Sequence, residues 1–384
     1  MYKEIITTVS MLLLSICTFA QETAFVLSSQ IDNLEGKVVY VTIWDGTSTM
    51  KNKTIPVVDG QFNYSETTAS PLVIRVSATN PGVLKKPDPD KTGAYPTKAA
   101  SMWCVVQPGE KVKLIGRLTD YAETSAVGGA ENEVCNKILK SYFPLLNKQM
   151  NLQVKLARAS SSAADQAELK KEFDAASQAA LDALKKMVSQ NSSSIMGLYL
   201  INDFMLRGQL SIPEAANLIK TVDNSYKKTE FYKLVASRIS AGKYVVGAKM
   251  LTITGTLPNG KAFSNTSLSG KYYLIDFWGT WCVPCMAGMP HLLDLKKKYA
   301  GKLEILGIDK GDTEEKWKTA IAEKGLDWYH IMSGSGIYDY VAQLNVTGFP
   351  TTILVGPDGT ILYRSLGISE DLNDKLDKYF SAKQ

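Results

Sequence analysis

The sequence predicts a C-terminal α/β domain, a mixed sheet with helices on both faces, preceded by a small antiparallel β-domain and an all-helical region. Three observations predict it. Short alternating apolar runs broken by Asp-Gly turns fill residues 24–119. Ala, Leu, Lys, Gln and Glu, all good helix formers, dominate 131–240. From about residue 246, apolar runs of strand length alternate with helical stretches. The 384 residues suffice for two or three domains, each with its own core, and 45% hydrophobic with 21% charged residues is an ordinary globular balance. The formal charge of +5 is small for this length, and no Lys/Arg block is interleaved with aromatics, which argues against nucleic acid as a partner.

Residues 1–20 read as a secretory signal rather than part of the fold. Lys3 supplies a positive charge, Val9 to Phe19 is largely apolar, and Thr18-Phe19-Ala20 offers a small residue for cleavage after Ala20. A lipoprotein reading would use Cys17 as the anchor, although Ile16 before it is bulkier than such a site prefers. No other stretch reaches about 18 uninterrupted apolar residues, so the mature chain is expected to be soluble and periplasmic or otherwise extracytoplasmic. Losing the signal leaves Cys104, Cys135, Cys282 and Cys285. In an exported chain these can be bridged, and the two-residue spacer makes Cys282–Cys285 the expected disulfide.

Residues 21–120 form the β-rich region. Val38–Trp44 precedes an Asp45-Gly46 turn, Asp59-Gly60 separates Ile55–Val58 from Gln61–Tyr64, and Leu72–Val76 and Lys111–Gly116 follow. Residues 80–98, with Pro81, Pro87, Pro89 and Pro96, read as a long irregular loop. Residues 121–245 form the helical region, in which Leu169, Phe173, Ala176, Ala180, Leu184 and Met187 recur on one face. The region reads as a spacer or a dimerisation element. The oligomeric state is not legible.

Residues 246–384 form the α/β domain. Pro258-Asn259-Gly260 turns a hairpin between Leu251–Thr256 and Ala262-Phe263, and Tyr272–Trp278 is an apolar strand of the buried kind. A helix from about Cys282 to Tyr299 follows, then the strand Leu303–Ile308. Asp312 with Glu315 reads as a capping box opening a helix that stops at Gly325. A short helix near Ile337–Leu344 leads to the strand Thr351–Val355, Pro357-Asp358-Gly359 turns into Ile361–Arg364, and a last helix starts after Ser369.

Cys282-Val283-Pro284-Cys285 stands where strand hands over to helix, and a helix N-terminus stabilises a thiolate through its free N–H groups and dipole. Cys282 is therefore the expected attacking thiol and Cys285 the resolving one, with Trp281 and Pro284 restricting and shielding the loop. A zinc site is disfavoured, because the two His and the other two mature Cys do not fall at ligand spacing. Covalent haem attachment would need His after the second Cys, where Met286 stands. Asp276 interrupts the apolar strand. It reads either as a proton donor and acceptor for Cys285 or as a strand-edge carboxylate beside water. Phe349-Pro350-Thr351 is either an ordinary strand start or a cis-proline turn that sets the Phe349 backbone beside the redox pair to hold substrate.

FWGTWCVPC, Pro290, GFPTT and Gly367 together resemble the thioredoxin family, in particular its exported TlpA/ResA-type thiol–disulfide oxidoreductases, over about residues 246–384. The resemblance implies a thioredoxin fold, nucleophilic Cys282, resolving Cys285, a cis peptide before Pro350, a buried acid at Asp276 and a helix kinked at Pro290. Residues 24–245 more loosely resemble the β-rich and helical regions fused to such domains in Bacteroidetes-type bacteria. Two departures stand out. Gly288 replaces the Glu that exported members often carry three residues after the second Cys. Gly279 replaces the usual Ala before Thr-Trp-Cys, a change expected to loosen the loop.

The expected function is an extracytoplasmic reductase of protein disulfides, with no bound cofactor and a membrane-linked thiol as electron donor. Its rivals are a disulfide oxidase or isomerase, and a binding or assembly protein that uses the C-terminal domain as a scaffold. Cys104 and Cys135 either bridge the first two regions or remain as two buried thiols. His291 and His330 read as surface or packing residues, and Met286 and Met289 as part of an apolar docking face or as helix packing.

Overall fold

The computed structural model describes residues 22–381 apart from 35, 37, 48–49, 79–80, 91–92, 96, 160–162 and 369–370. The expected signal segment with Cys17, as well as Pro96 and Ser369, lies outside the described residues. Among the described residues no helix is long and apolar enough to cross a membrane.

Among the described residues eight strands come first: β1 (Thr23–Asp32), β2 (Val38–Trp44), β3 (Met50–Pro56), β4 (Asn63–Thr68), β5 (Leu72–Ala78), β6 (Met102–Val106), β7 (Lys111–Arg117) and β8 (Glu123–Val127). They form two four-stranded sheets, ordered β4-β1-β7-β8 and β3-β2-β5-β6. The pairings are antiparallel except for β1 with β7, which run parallel. Asp59 and Gly60 take the positive φ of a tight turn, at 50° and 71°. The expected hairpin ends at the single bridge Val58↔Gln61, because β3 and β4 then join different sheets. Turn chemistry is local, whereas sheet membership follows from packing.

Six helices follow: α1 (Ala130–Arg158), α2 (Ala163–Gln190), α3 (Ile195–Leu206), α4 (Ile212–Lys220), α5 (Asn224–Lys227) and α6 (Glu230–Ala241). On α2 the apolar stripe turns inward, with Ala176, Ala180 and Leu184 buried. The helices are not a detached spacer. One buried cluster runs from Phe25 through Val105, Cys135, Ile138 and Tyr199 to Val235, so strands and helices share a core across residue 120. Asn132 pins α1 to β6, accepting from Val105 N at 2.8 Å and donating to Val105 O at 2.7 Å. These bonds satisfy strand groups that burial would otherwise leave unpaired.

The C-terminal part begins with the hairpin β9 (Thr254–Thr256) and β10 (Ala262–Ser264). Its five-stranded sheet has the order β13-β12-β11-β14-β15, built from β11 (Tyr272–Trp278), β12 (Leu303–Asp309), β13 (Tyr329–Met332), β14 (Thr351–Val355) and β15 (Ile361–Leu366). β11 is central, parallel to β12 and antiparallel to β14. Helices α7 (Val283–Lys298), α8 (Glu314–Lys324), α9 (Tyr340–Gln343) and α10 (Leu372–Ser381) complete it. A buried cluster lies on each face of the sheet, one holding Ile275, Phe277 and Ile308, the other Leu274, Trp278, Cys285 and Ile305. That division follows the period-two alternation along β11.

α6 ties the two parts together. Arg238, buried and held down to about 10 by that burial, donates to Asn202 Oδ1 at 2.6 Å and to Val346 O at 3.3 Å, in the loop that leads to Pro350.

Candidate active site around Cys282 and Cys285

β11 delivers the chain to Trp278, and after three intervening residues Cys282 stands as the N-cap of α7. Cys282 Sγ accepts the Cys285 N–H at 3.2 Å, so a free N–H of the first helical turn points at the sulfur. Pro284 sits in that first turn, where a missing N–H costs nothing. Cys282 and Cys285 are disulfide-bonded, with Cα atoms 5.2 Å apart. The bridge is nearly covered, but its lip is not: Trp281 is 55% and Val283 78% exposed.

The Trp281 ring is held on two sides. Its Nε1 donates to Lys310 O at 2.8 Å, and its edge meets Phe349 with ring centroids 5.1 Å apart. A Cβ on Gly279 would collide with Trp281 Nε1. Gly279 therefore does not loosen the loop as expected; it gives the indole room to lie down. The Phe349–Pro350 peptide is cis, and Phe349 packs against the cluster that contains both cysteines. At Gly288 an added side chain would meet open space.

Asp276 lies in the central strand between Gly307 of β12 and Thr352 of β14, which excludes the strand-edge alternative. Alternation puts it on the face of Leu274 and Trp278, the face that packs against Cys285. Burial pushes its carboxyl up to about 7. His330 is a packing residue, edge-on to Trp278 and stacked on Trp328, with burial holding it down to about 4. Met289 is buried and Met286 half-buried in the same cluster.

The sequence reading missed the acids behind the loop. Asp312 does not cap α8; Thr313 does, accepting from Lys316 N. Asp312 instead accepts from Thr280 N and Thr280 Oγ1, each at 2.6 Å, gripping the residue before Trp281. Asp309, fully buried at the end of β12, is pushed up to about 8, first by burial and then by Asp312 beside it. The available signal was an Asp closing an apolar strand, Asp309 after Gly307-Ile308, with a second Asp three residues on.

A strand, a helix-capping disulfide and an opposing proline loop define a dithiol–disulfide centre of thioredoxin type. A family profile described as "Thioredoxin-like" matches residues 270–361. The thiol-disulfide oxidoreductase ResA of Bacillus thuringiensis is 30% identical over 139 residues, spanning 36% of this chain and 78% of that protein. The thioredoxin-like protein YneN of Bacillus subtilis is 32% identical over 124 residues, 31% of this chain and 71% of its own length. Among solved structures, the thioredoxin domain of a thiol-disulfide oxidoreductase from Bacteroides vulgatus is 31% identical, covering 35% of this chain and 97% of that one with a TM-score of 0.33. The chain belongs to the thioredoxin-like family, and it is a thiol–disulfide oxidoreductase.

Proposed function

We propose that this protein is an extracytoplasmic reductase of protein disulfides. The observation that carries the reading is Cys282 Sγ at the α7 N-cap, accepting a helix N–H beside the exposed lip of Trp281 and Val283. In the reduced enzyme that N–H and the helix dipole favour the Cys282 thiolate. The thiolate attacks one sulfur of the substrate disulfide, forms a mixed disulfide and releases the other sulfur as a thiolate. Cys285 then attacks Cys282 Sγ, releases the second substrate thiolate and closes the Cys282–Cys285 bridge. Two electrons pass from the enzyme to the substrate, and an external dithiol, membrane-linked in this proposal, restores them.

Asp276 takes the proton that Cys285 must lose and returns it when the bridge is reopened. A carboxyl raised to about 7 suits both directions near neutral pH. Trp281, Pro284, Phe349 and Pro350 form the platform on which an extended substrate segment rests. Residues 246–384 are the redox unit in this proposal. Residues 21–245, with a β-rich part to 120 and a helical part beyond it, position the unit or recruit its partner. Export rests on the signal-like segment 1–20.

Equilibrating the Cys282–Cys285 couple against glutathione or dithiothreitol tests the direction. A potential at or below about −250 mV supports a reductase; one above about −180 mV overturns that reading in favour of an oxidase or isomerase.

A further inference from the structure

The N-terminal part of the molecule carries a polar cleft of about 270 Å³, far in sequence from the redox pair. It lies between β5 and helices α1, α2 and α3, and Thr97 and Lys98 of the long loop also line it. Three cations line it, Arg75, Lys98 and Arg207, and one carboxylate, Asp203. Asp203 is already doubly engaged, its Oδ2 accepting from Lys98 Nζ at 2.7 Å and from Arg207 Nε at 2.9 Å. Burial works against the charge on Asp203, yet Lys98 and Arg207 outweigh it and hold the carboxyl below its usual range.

Arg75 is left with little. Its Nη2 reaches Thr42 Oγ1 only at 3.5 Å, and its Nε is sealed from solvent, so the guanidinium can meet the cleft only through its two Nη groups. The guanidinium is nevertheless fixed in place, 5.7 Å from the Trp44 ring and 5.8 Å from that of Trp103. Burial lowers Arg75 below its ordinary value, and it lowers Lys98 as well despite the ion pair with Asp203. The bland account is that the tryptophans alone hold the cation. Cation–π contacts supply about 0.5–2 kcal/mol but use none of the hydrogen-bonding capacity of the Nη groups. Leu146, Leu184 and Phe204 add apolar wall, beside the polar side chains of Gln149 and Gln209.

We propose that this cleft binds a small organic oxyanion, a carboxylate or phosphate monoester on an apolar body, with Arg75 as the forked ligand and Arg207 closing from the rim. Two N–H groups of a pre-positioned guanidinium match two oxygens of such an anion. The site is independent of the disulfide chemistry, so neither reading depends on the other.

Calorimetric titration of the whole chain tests it, with benzoate and phenyl phosphate as probes and benzamide as the neutral control. The expected result is saturable binding of at least one anion at about 1 mM or tighter, and benzamide weaker by about tenfold or more. Arg75→Gln should weaken the anion by about tenfold, with disulfide reduction unchanged. Should Arg75→Gln fail to fold, Arg207→Gln, at a side chain 53% exposed, should still weaken it by about threefold. Benzamide binding as well as the anions, affinity unchanged in the variant that folds, or no saturable heat from either anion each overturns the proposal.

Discussion

Two pairs of cysteines survive in the described chain, and they have opposite chemistry. Cys104 and Cys135 are free thiols with 0% exposure, while Cys282 and Cys285 are bridged with 4% and 3%. Burial as such therefore does not separate them. Cys104 lies inside β6, where desolvation raises its thiol. Cys135 lies in the second turn of α1, where the helix field favours a thiolate, yet burial and then Cys104 and Glu131 push it well above the usual range. At the α7 N-cap the balance reverses, because a helix N–H is aimed at Cys282 Sγ and the lip beside it is open to a partner. Reactivity follows from a directed donor and an approach path.

The sharpest way to break this contrast is substitution of each pair in turn. Cys282→Ser should reduce catalysed insulin disulfide reduction by about 10³-fold or more, since it removes the attacking thiolate itself. Cys104→Ala and Cys135→Ala should retain the activity of the folded enzyme. A chain inert in this assay, in which Cys282→Ser changes nothing, would favour the scaffold reading, in which the redox pair is incidental. Alkylation kinetics of the reduced protein sharpen the same contrast. Cys282 should react first, whereas Cys104 and Cys135 should react slower by about 10³-fold or more, because they open only with global unfolding that costs at least about 5 kcal/mol. Mass spectrometry after a short pulse counts the labels, and early label on Cys104 would refute the assignment of a sealed pair.

The same contrast shows which features were legible in the sequence. Tyr272–Trp278 and Thr351–Val355 matched their strands residue for residue, because a continuous apolar run in a central strand needs no further information. The Cys282–Cys285 bridge was equally legible, since its two-residue spacer and helix start are local. β13 was not: Tyr329–Met332 is four residues long and becomes a strand by pairing with β12. Nor was the shared core across residue 120, which depends on how α1 meets β6. Asp312 was read as a helix cap because Asp-x-x-Glu is a capping pattern. Its real partner, Thr280, lies 32 residues back, and only the β11–β12 pairing brings them together.

Asp276 gives the next prediction, of intermediate size. Its carboxyl rises from an ordinary 3.8 to about 7 through burial, so between about pH 4 and 7 the folded state holds a proton that the unfolded state has lost. Stability from this group is complete below about pH 4 and declines as pH rises towards 7, the reverse of an ion-paired Asp. Asp276→Asn removes that loss. It should be more stable than wild type above pH 7 by at most about 4 kcal/mol, with the difference vanishing near pH 4. Comparing the two proteins cancels the opposite contribution of acids held low, such as Asp203. Denaturant melts at pH 4, 6 and 8 check the sign, and a gap that widens towards acid would be fatal to it. Turnover should move the other way: the variant loses the proton carrier for Cys285 and slows by about 10²-fold, most at neutral pH.

The smallest expected effect lies at Asp312, which tests whether the loop is positioned from behind. Removing its carboxylate in Asp312→Ala deletes both hydrogen bonds to Thr280 and should cost about 1–2 kcal/mol, the low end for charge-assisted bonds because Asp312 is only half-buried. Loss of that charge also relieves Asp309, whose carboxyl should fall back from about 8 towards its burial-only value. Asp312→Asn keeps one carbonyl oxygen for one Thr280 donor and turns an amide towards the other, so it should recover about half of the stability. A general loss of stability would leave Cys282 alkylation in the folded protein unchanged. A positioning role instead predicts a several-fold change in that rate in Asp312→Ala, partial return in Asp312→Asn and altered Trp281 emission, because Thr280 sets the arm that carries both Trp281 and Cys282.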